Sequence, residues 1–388
     1  MHEKVDKMKV LVLAYTKMNV GDDLFLYILF KRYPEIHFSI QIEEKYSKAF
    51  KTCPNVTIYN ENNKKDMKNA VFDGVVYIAG SLFMQAKNYD GKTNPNFKGW
   101  QKIALNYKKA KKPFFHISCN FGPYSNENYH KQAQEYFKIC TDICFRDKYS
   151  FNLFKNLKNI RYAPDAALSH SYPKYKKIKN SVAISIIEPS IRWYIDQNKK
   201  EDYYNFLKNN ILYLINEGMT IYLFSYCEAE GDVTAQKELL EIIPKKYHSK
   251  INLLNYEGNL KSYLKKYGEM EYALCGRFHS MILSQIFEHK YFVTAYSDKT
   301  TNVMNDFKIK NQFVKYEEIS PDEIIPLSSY RKLNAMKKIV LKYKSKKQFK
   351  SFNKWIFKKR MMKFKKKLMN LKIKIKNLKK KLMKLKRN

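Results

Sequence analysis

Two side chains in the stretch Tyr272-Ala273-Leu274-Cys275-Gly276-Arg277-Phe278-His279-Ser280-Met281-Ile282-Leu283 have the types and spacing for chemistry. Arg277 and His279 sit two residues apart on a glycine turn that follows an apolar run and precedes an apolar helix. In extended backbone such a pair points to one side, and the start of a helix offers free N–H groups that favour an anion. A phosphate or a carboxylate is the ligand this turn would hold. Lys299, in the turn Tyr296-Ser297-Asp298-Lys299 after the next apolar run, adds a second cation. Arg146, in Cys144-Phe145-Arg146-Asp147-Lys148-Tyr149-Ser150, closes another apolar run, and arginine grips carboxylate or phosphate bidentately. Arg146 could equally pair with Asp147 or with Asp165 in Ala163-Pro164-Asp165-Ala166-Ala167.

Two further turns carry small residues where backbone must come close to something. In Asn19-Val20-Gly21-Asp22-Asp23-Leu24 the glycine permits approach to a ligand, while Asp22 is either a ligand contact or the cap of the helix that follows. In Ala79-Gly80-Ser81 the same approach or tight strand–helix packing would serve.

These turns must be held by strands and helices. Lys9–Tyr15, His37–Ile42, Val56–Tyr59, Val75–Ala79, Phe114–Ser118 and Ile143–Phe145 are apolar runs of strand length with helical stretches between most of them. Their lack of strict alternation suits strands buried on both faces of a parallel sheet. A polar, proline-led segment at 173–180 reads as a linker. A second series follows at Ser181–Ile187, Thr220–Ser225, Ile251–Leu254, Tyr272–Cys275 and Tyr291–Ala295, alternating with helices at Glu201–Asn216, Asp232–Ile243, Leu260–Tyr267 and Ser280–Phe287. The pattern divides the chain into Rossmann-like α/β domains at 1–172 and 181–330, with a C-terminal helix and tail over 331–388; residues 320–344 also read as helical. Ligands of open parallel sheets bind beyond the carboxyl ends of the strands, where these turns lie.

Taken together, NxGD near the N-terminus, the Phe121-Gly122-Pro123 turn, FRDxxS, PDxA and GRFHS followed by a YxDK turn resemble the polysaccharide pyruvyl transferase family over roughly residues 9 to 310. The resemblance implies a GT-B-like arrangement of the two domains. It also implies transfer of pyruvate from phosphoenolpyruvate to a pair of hydroxyls on a cell-surface glycan or its lipid-linked precursor, forming a cyclic ketal. On that reading Arg277 and His279 match the R-x-H donor site and Arg146 the arginine of the RD motif. Histidine, which exchanges a proton near neutral pH, is then the general acid or phosphate partner. Arg277, Arg146 and Lys299 clamp the anion, and Asn19, Gly21, Asp22, Gly80, Ser81 and Asp165 complete the substrate site. Three glycines are usual in the family where this chain has Ala79-Gly80-Ser81, a difference that bears on the acceptor. Phosphoenolpyruvate is a substrate; the mechanism calls for no cofactor and no metal. A GT-B glycosyltransferase would instead set Arg277 and Lys299 on the diphosphate of a nucleotide sugar.

The six cysteines form no CxxC pair, the N-terminus lacks a secretory h-region, and no apolar run reaches the ~18 residues of a spanning helix. A reducing, cytoplasmic compartment is expected. The formal net charge is +38, and the stretch from Ser345 to Asn388 supplies 20 Lys and Arg with no acidic residue, about half of that excess. In it Phe357, Met361, Phe364, Leu368, Leu371, Ile375, Leu378, Leu382 and Leu385 alternate spacings of four and three, a heptad-type stripe on a lysine background. An anionic membrane surface, contacted through residues 346–388 on the inner face of the cell membrane, answers both the stripe and the charge, and nucleic acid is not the expected partner. A non-catalytic binder of acidic polymer or nucleic acid through this tail is the reading from another class.

Overall fold

The computed structural model describes residues 7–87, 89, 91 and 95–385. The N-terminal residues 1–6 and the last three of the tail, both covered by the sequence reading, lie outside the described residues.

Residues 7–348 form one compact unit and the segment from Phe349 a second, each considered by itself. The first unit opens with β1 (Lys9–Leu13), α1 (Val20–Arg32), β2 (His37–Gln41), β3 (Val56–Tyr59), α2 (Lys64–Asn69), β4 (Gly74–Ile78), α3 (Pro95–Lys109), β5 (Phe114–Cys119), α4 (Glu127–Phe137), β6 (Asp142–Phe145), α5 (Lys148–Phe154) and β7 (Ile160–Tyr162). Their strands make a seven-stranded sheet in the order β3-β2-β1-β4-β5-β6-β7, and every pairing is parallel. The second lobe runs through β8 (Ile178–Ser185), α6 (Lys200–Asn216), β9 (Thr220–Phe224), α7 (Asp232–Ile242), β10 (Ile251–Leu254), α8 (Leu260–Gly268), β11 (Met270–Cys275), α9 (Phe278–Phe287), β12 (Lys290–Ala295), α10 (Asp298–Asp306) and β13 (Phe313–Lys315). Its sheet has the order β10-β9-β8-β11-β12-β13, again all parallel.

Both sheets reverse direction of growth at their first strand, between β1 and β4 and between β8 and β11. A crevice opens beyond the strand ends at such a point because the flanking helices leave to opposite faces. The strands are buried apolar runs, as both-face coverage demands: Val75, Val76 and Ile78 in β4, and Val182, Ala183 and Ile184 in β8, are at most 1% exposed.

Several boundaries differ from the sequence reading. Strand β8 begins at Ile178, inside the segment read as linker. The three-residue strands β7 and β13 and the polar helix α10 were not expected, and the region 320–344 holds a single 3-10 turn at Leu327–Ser329 and is α-helical only from Ala335. That last helix, α11 (Ala335–Ser345), leads the chain back to the first lobe. There Gln348, 1% exposed, accepts from the Ser118 amide at 2.9 Å and donates to the carbonyls of Ala163 at 2.6 Å and Phe145 at 3.2 Å. Arg161 donates to the Lys347 and Gln348 carbonyls while pairing with Asp142. The final helix, α12 (Lys350–Leu385), belongs to the second unit.

Candidate active site

The turns that follow β1, β4 and β6 in the first lobe and β8, β9, β11 and β12 in the second surround a cavity of about 520 Å³. Asn19, Asp22, Gly80, Ser81, Arg146, Arg277, His279 and Lys299 all line it. Gly21 stands directly behind His279, and Asp165 is buried behind Arg146. The sequence-predicted residues therefore come together, some on its wall and some supporting it.

Helix α1 starts at the cavity because Asn19 caps it, its Oδ1 accepting from the Gly21 amide at 2.9 Å. Asp22 is thus not the cap. It faces the cavity and accepts weakly from the Gly80 amide at 3.4 Å. The two glycines are required by close approach. A β-carbon on Gly21 would overlap the imidazole of His279, and one on Gly80 would stand 2.8 Å from both terminal nitrogens of Arg146.

The lobes are latched around the site. The Val20 amide donates to the Tyr226 carbonyl at 2.9 Å, Asn19 Nδ2 donates to Glu230 at 2.9 Å, and the Tyr256 hydroxyl donates to Asp23 at 2.7 Å. Lys299 Nζ crosses from the second lobe to the Ser81 hydroxyl at 3.1 Å.

Both arginines are in buried ion pairs. Arg146 binds Asp165 at 3.1 Å and the Asn120 amide oxygen at 2.7 Å, and its guanidinium carbon lies 3.9 Å from the centre of the Phe278 ring. The structural partner is Asp165; Asp147 instead caps α5 through the Ser150 amide. Arg277 binds Glu230 at 2.7 Å and Asp232 at 3.0 Å, and Arg192 shares Glu230 at 3.2 Å. Among the described residues Lys299 makes no ion pair; its ammonium stands 4.9 Å over the Tyr296 ring.

This crowding of charge sets the protonation states. Burial, reinforced by the positive Arg146, Lys299 and Arg277, holds His279 neutral, well below its usual pKa. Its Nε2 has no hydrogen-bond partner, the nearest carboxylate being Asp165 at 3.9 Å. Burial and the charge of Glu230 push the Asp22 carboxyl up to about 7. Burial also acts to raise Glu230, yet Arg277, Arg192 and Lys299 outweigh it and bring that carboxyl to about 2. Burial opposes ionisation of Tyr296 as well, but Lys299, Arg277 and Arg192 bring the phenol down to about 8. The site thus holds a carboxyl and a phenol poised near neutral pH beside an imidazole that is an acceptor at rest.

Arg192, Glu230 and Asp232 were missed by the sequence reading. The turn Glu228-Ala229-Glu230-Gly231-Asp232 after β9 was the available signal, a glycine between acids at the same topological position as the other site turns. Arg192 lies in a loop after β8 that carries no pattern of its own.

The family model described as polysaccharide pyruvyl transferase matches residues 19–298, from the cap of α1 to the start of α10. The chain belongs to this family. The match covers the site turns as far as Asp298, one residue short of Lys299, and membership makes the chain a transferase acting on polysaccharide. No curated protein sequence matches the chain. Among solved structures it is similar to Anabaena HepE in complex with UDP and glucose, with 10% identity, a TM-score of 0.54, and coverage of 90% of this chain and 100% of that one. It is also similar to the Methanocaldococcus jannaschii UDP-GlcNAc 2-epimerase bound to UDP-GlcNAc and UDP, with 12% identity, a TM-score of 0.50, and coverage of 87% and 99%. These likenesses show the fold, two parallel-sheet α/β domains of the GT-B type. Among the described residues no helix is long and apolar enough to cross a membrane, and no cluster of three or more His, Cys, Asp or Glu could hold a metal.

Proposed function

We propose that the cavity binds phosphoenolpyruvate and transfers its pyruvyl group to a pair of sugar hydroxyls as a ketal. The observation that carries this reading is the convergence of Arg146, Arg277, Lys299 and His279, from both lobes, on one cavity. Phosphoenolpyruvate carries a phosphate and a carboxylate a few bonds apart, and a site with several cations but one unpaired lysine can take both without excess charge when empty. In this proposal Lys299 and the outward faces of the arginines hold the two anionic groups, with the His279 Nε2 within their reach.

The chemistry needs one acid and one base. A proton goes to the methylene carbon, leaving an oxocarbenium-like centre at the adjacent carbon. A sugar hydroxyl adds there and gives up its proton to the base; the second hydroxyl then displaces phosphate, the C–O bond to phosphate breaking as the new one forms, and its proton leaves with the phosphate as hydrogen phosphate. Groups whose surroundings push their pKa values apart suit such a division. Asp22, protonated up to about pH 7, is the donor to carbon, and neutral His279 the acceptor from the hydroxyl. This reverses the acid role that the histidine type alone suggests, because burial, reinforced by three neighbouring cations, disfavours an imidazolium.

The test is release of inorganic phosphate from phosphoenolpyruvate on addition of glycan acceptors, with thermal stabilisation by phosphoenolpyruvate measured beside UDP-sugars. A donor that binds only the folded state raises its melting temperature. Stabilisation by a UDP-sugar alone, with no phosphate release on any acceptor, would replace this reading with a glycosyltransferase.

A further inference from the structure

The helix α12 is unbroken over 36 residues. Its twelve large apolar side chains from Phe357 to Met383 are each between 40% and 66% exposed. Eight residues of the four-and-three pattern run along it from Phe357 to Leu382, a stripe about 39 Å long at 1.5 Å per residue.

The positions that border the stripe are uniform. Counting the residue after each Phe357, Phe364, Leu371 and Leu378, and the residue before each Met361, Leu368 and Ile375, gives Lys358, Lys365, Lys372 and Lys379 on one side and Arg360, Lys367 and Lys374 on the other. Each flanking position from 358 to 379 is cationic. In a helix pair these are the positions that face each other across the seam, so a second copy of this helix would set cation against cation along its length. A nucleic acid would satisfy the charge and leave the stripe in water. On a lipid surface both requirements are met: apolar side chains enter the acyl boundary while lysines at the border extend their methylene stems along it and keep the ammonium at the headgroups.

We propose that α12 lies in the plane of an anionic lipid surface, the Phe357–Leu382 stripe immersed and the flanking lysines on the acidic headgroups. The cations extend beyond the border, since Lys359, Lys363, Lys366, Lys376 and Lys380 occupy the remaining faces and no acidic residue follows Ser345. A partner helix would call for complementary charge at the seam alone, whereas a charged plane attracts every lysine within a Debye length of it. The inference stands independently of the donor assigned to the cavity.

The experiment is co-sedimentation of the full-length protein with vesicles of phosphatidylcholine alone and of equal parts phosphatidylcholine and phosphatidylglycerol. Binding is expected to the second only. Replacing Lys365, Lys367, Lys372 and Lys374 together by Gln should weaken it at least on the order of a hundredfold, at about 1 kcal/mol per lysine. Replacing Leu368, Leu371, Ile375 and Leu378 together by Gln should weaken it at least about tenfold by removing immersed apolar area. Equal binding to both vesicles, or full binding by the Leu/Ile→Gln variant, overturns the proposal. So does a lipid-free dimer in sedimentation velocity that this variant disperses, since the stripe would then pair with a second copy.

Discussion

Replacing Gly21 by Ala tests the site through a single carbon. Gly21 is in the first turn of α1 with no positive φ, so alanine is accepted by the backbone and is about 1 kcal/mol better than glycine within a helix. What alanine meets is the ring of His279. Its Nδ1 is 1.8 Å from where the new β-carbon would sit, against 3.4 Å for ordinary contact, so the ring must retreat by more than 1 Å, roughly 1.6 Å. The helix start cannot yield in its place, being held by the Asn19 cap and by the Val20–Tyr226 backbone bond. A 1 Å misplacement of a reacting group costs on the order of a hundredfold in rate. We expect kcat for phosphate release to fall by about that factor, with a loss of stability no greater than about 1–3 kcal/mol. A cycle isolates the cause: in a His279→Ala background, where the ring is gone, Gly21→Ala should leave the donor-induced shift unchanged and raise the melting temperature by the equivalent of up to about 1 kcal/mol, the helix gain of alanine over glycine. Turnover within threefold of the native enzyme for Gly21→Ala, in a protein that melts normally, would refute the claim that the position of His279 matters.

Four other outcomes are expected. His279→Ala should abolish turnover and leave a folded protein by circular dichroism; retained activity would remove His279 from the mechanism. Asp22 has a folded pKa of about 7 against 3.8 for a free carboxyl, so it contributes stability that is complete below pH 3.8 and lost as pH rises through 7. Asp22→Asn should therefore melt higher than the native protein at pH 8, lose that advantage at pH 4, and lose the fall in kcat above pH 7 along with most activity. Arg277→Met leaves Glu230 and Asp232 without their main counter-charge in a buried place, and thermal or urea unfolding should show a loss of about 3–5 kcal/mol. Lys299→Gln, which breaks no ion pair among the described residues, should keep its stability within about 0.5 kcal/mol and raise KM for phosphoenolpyruvate at least tenfold, read by the same phosphate assay.

The alternation of apolar runs and helical stretches was enough to place eleven of the thirteen strands, because strands buried on both faces must be written in Val, Ile, Leu and Phe. Strands β7 and β13 escaped since three residues carry no period, and α10 because Asp298-Lys299-Thr300-Thr301-Asn302 is a poor helix sequence that tertiary packing overrides. The site was legible where a residue type had one reason to follow a strand: Arg277, His279 and Lys299. It was not legible in its protonation. Nothing in Asp22 as a letter distinguishes it from a helix cap, and its pKa is raised by burial in the closed cavity together with the approach of Glu230 from the other lobe, more than two hundred residues away. For the same reason the Arg277–Glu230–Asp232 cluster is a property of the folded molecule alone, whereas for Arg146 the sequence offered both Asp147 and Asp165 and the fold selects Asp165.

The return of the chain at Gln348 bears on the order in which the protein can be made. During synthesis the strands of the first lobe emerge nearly two hundred residues before Gln348 does. Until then the Ser118 amide and the Ala163 carbonyl lack this partner, while the Phe145 carbonyl keeps the Ala163 amide, and each polar group left unmatched in a closed interior costs about 1–3 kcal/mol. The first lobe to leave the ribosome is therefore the last to be finished. Its final consolidation waits on the second lobe, so a chain ending within that second lobe would leave both halves incomplete rather than one half sound.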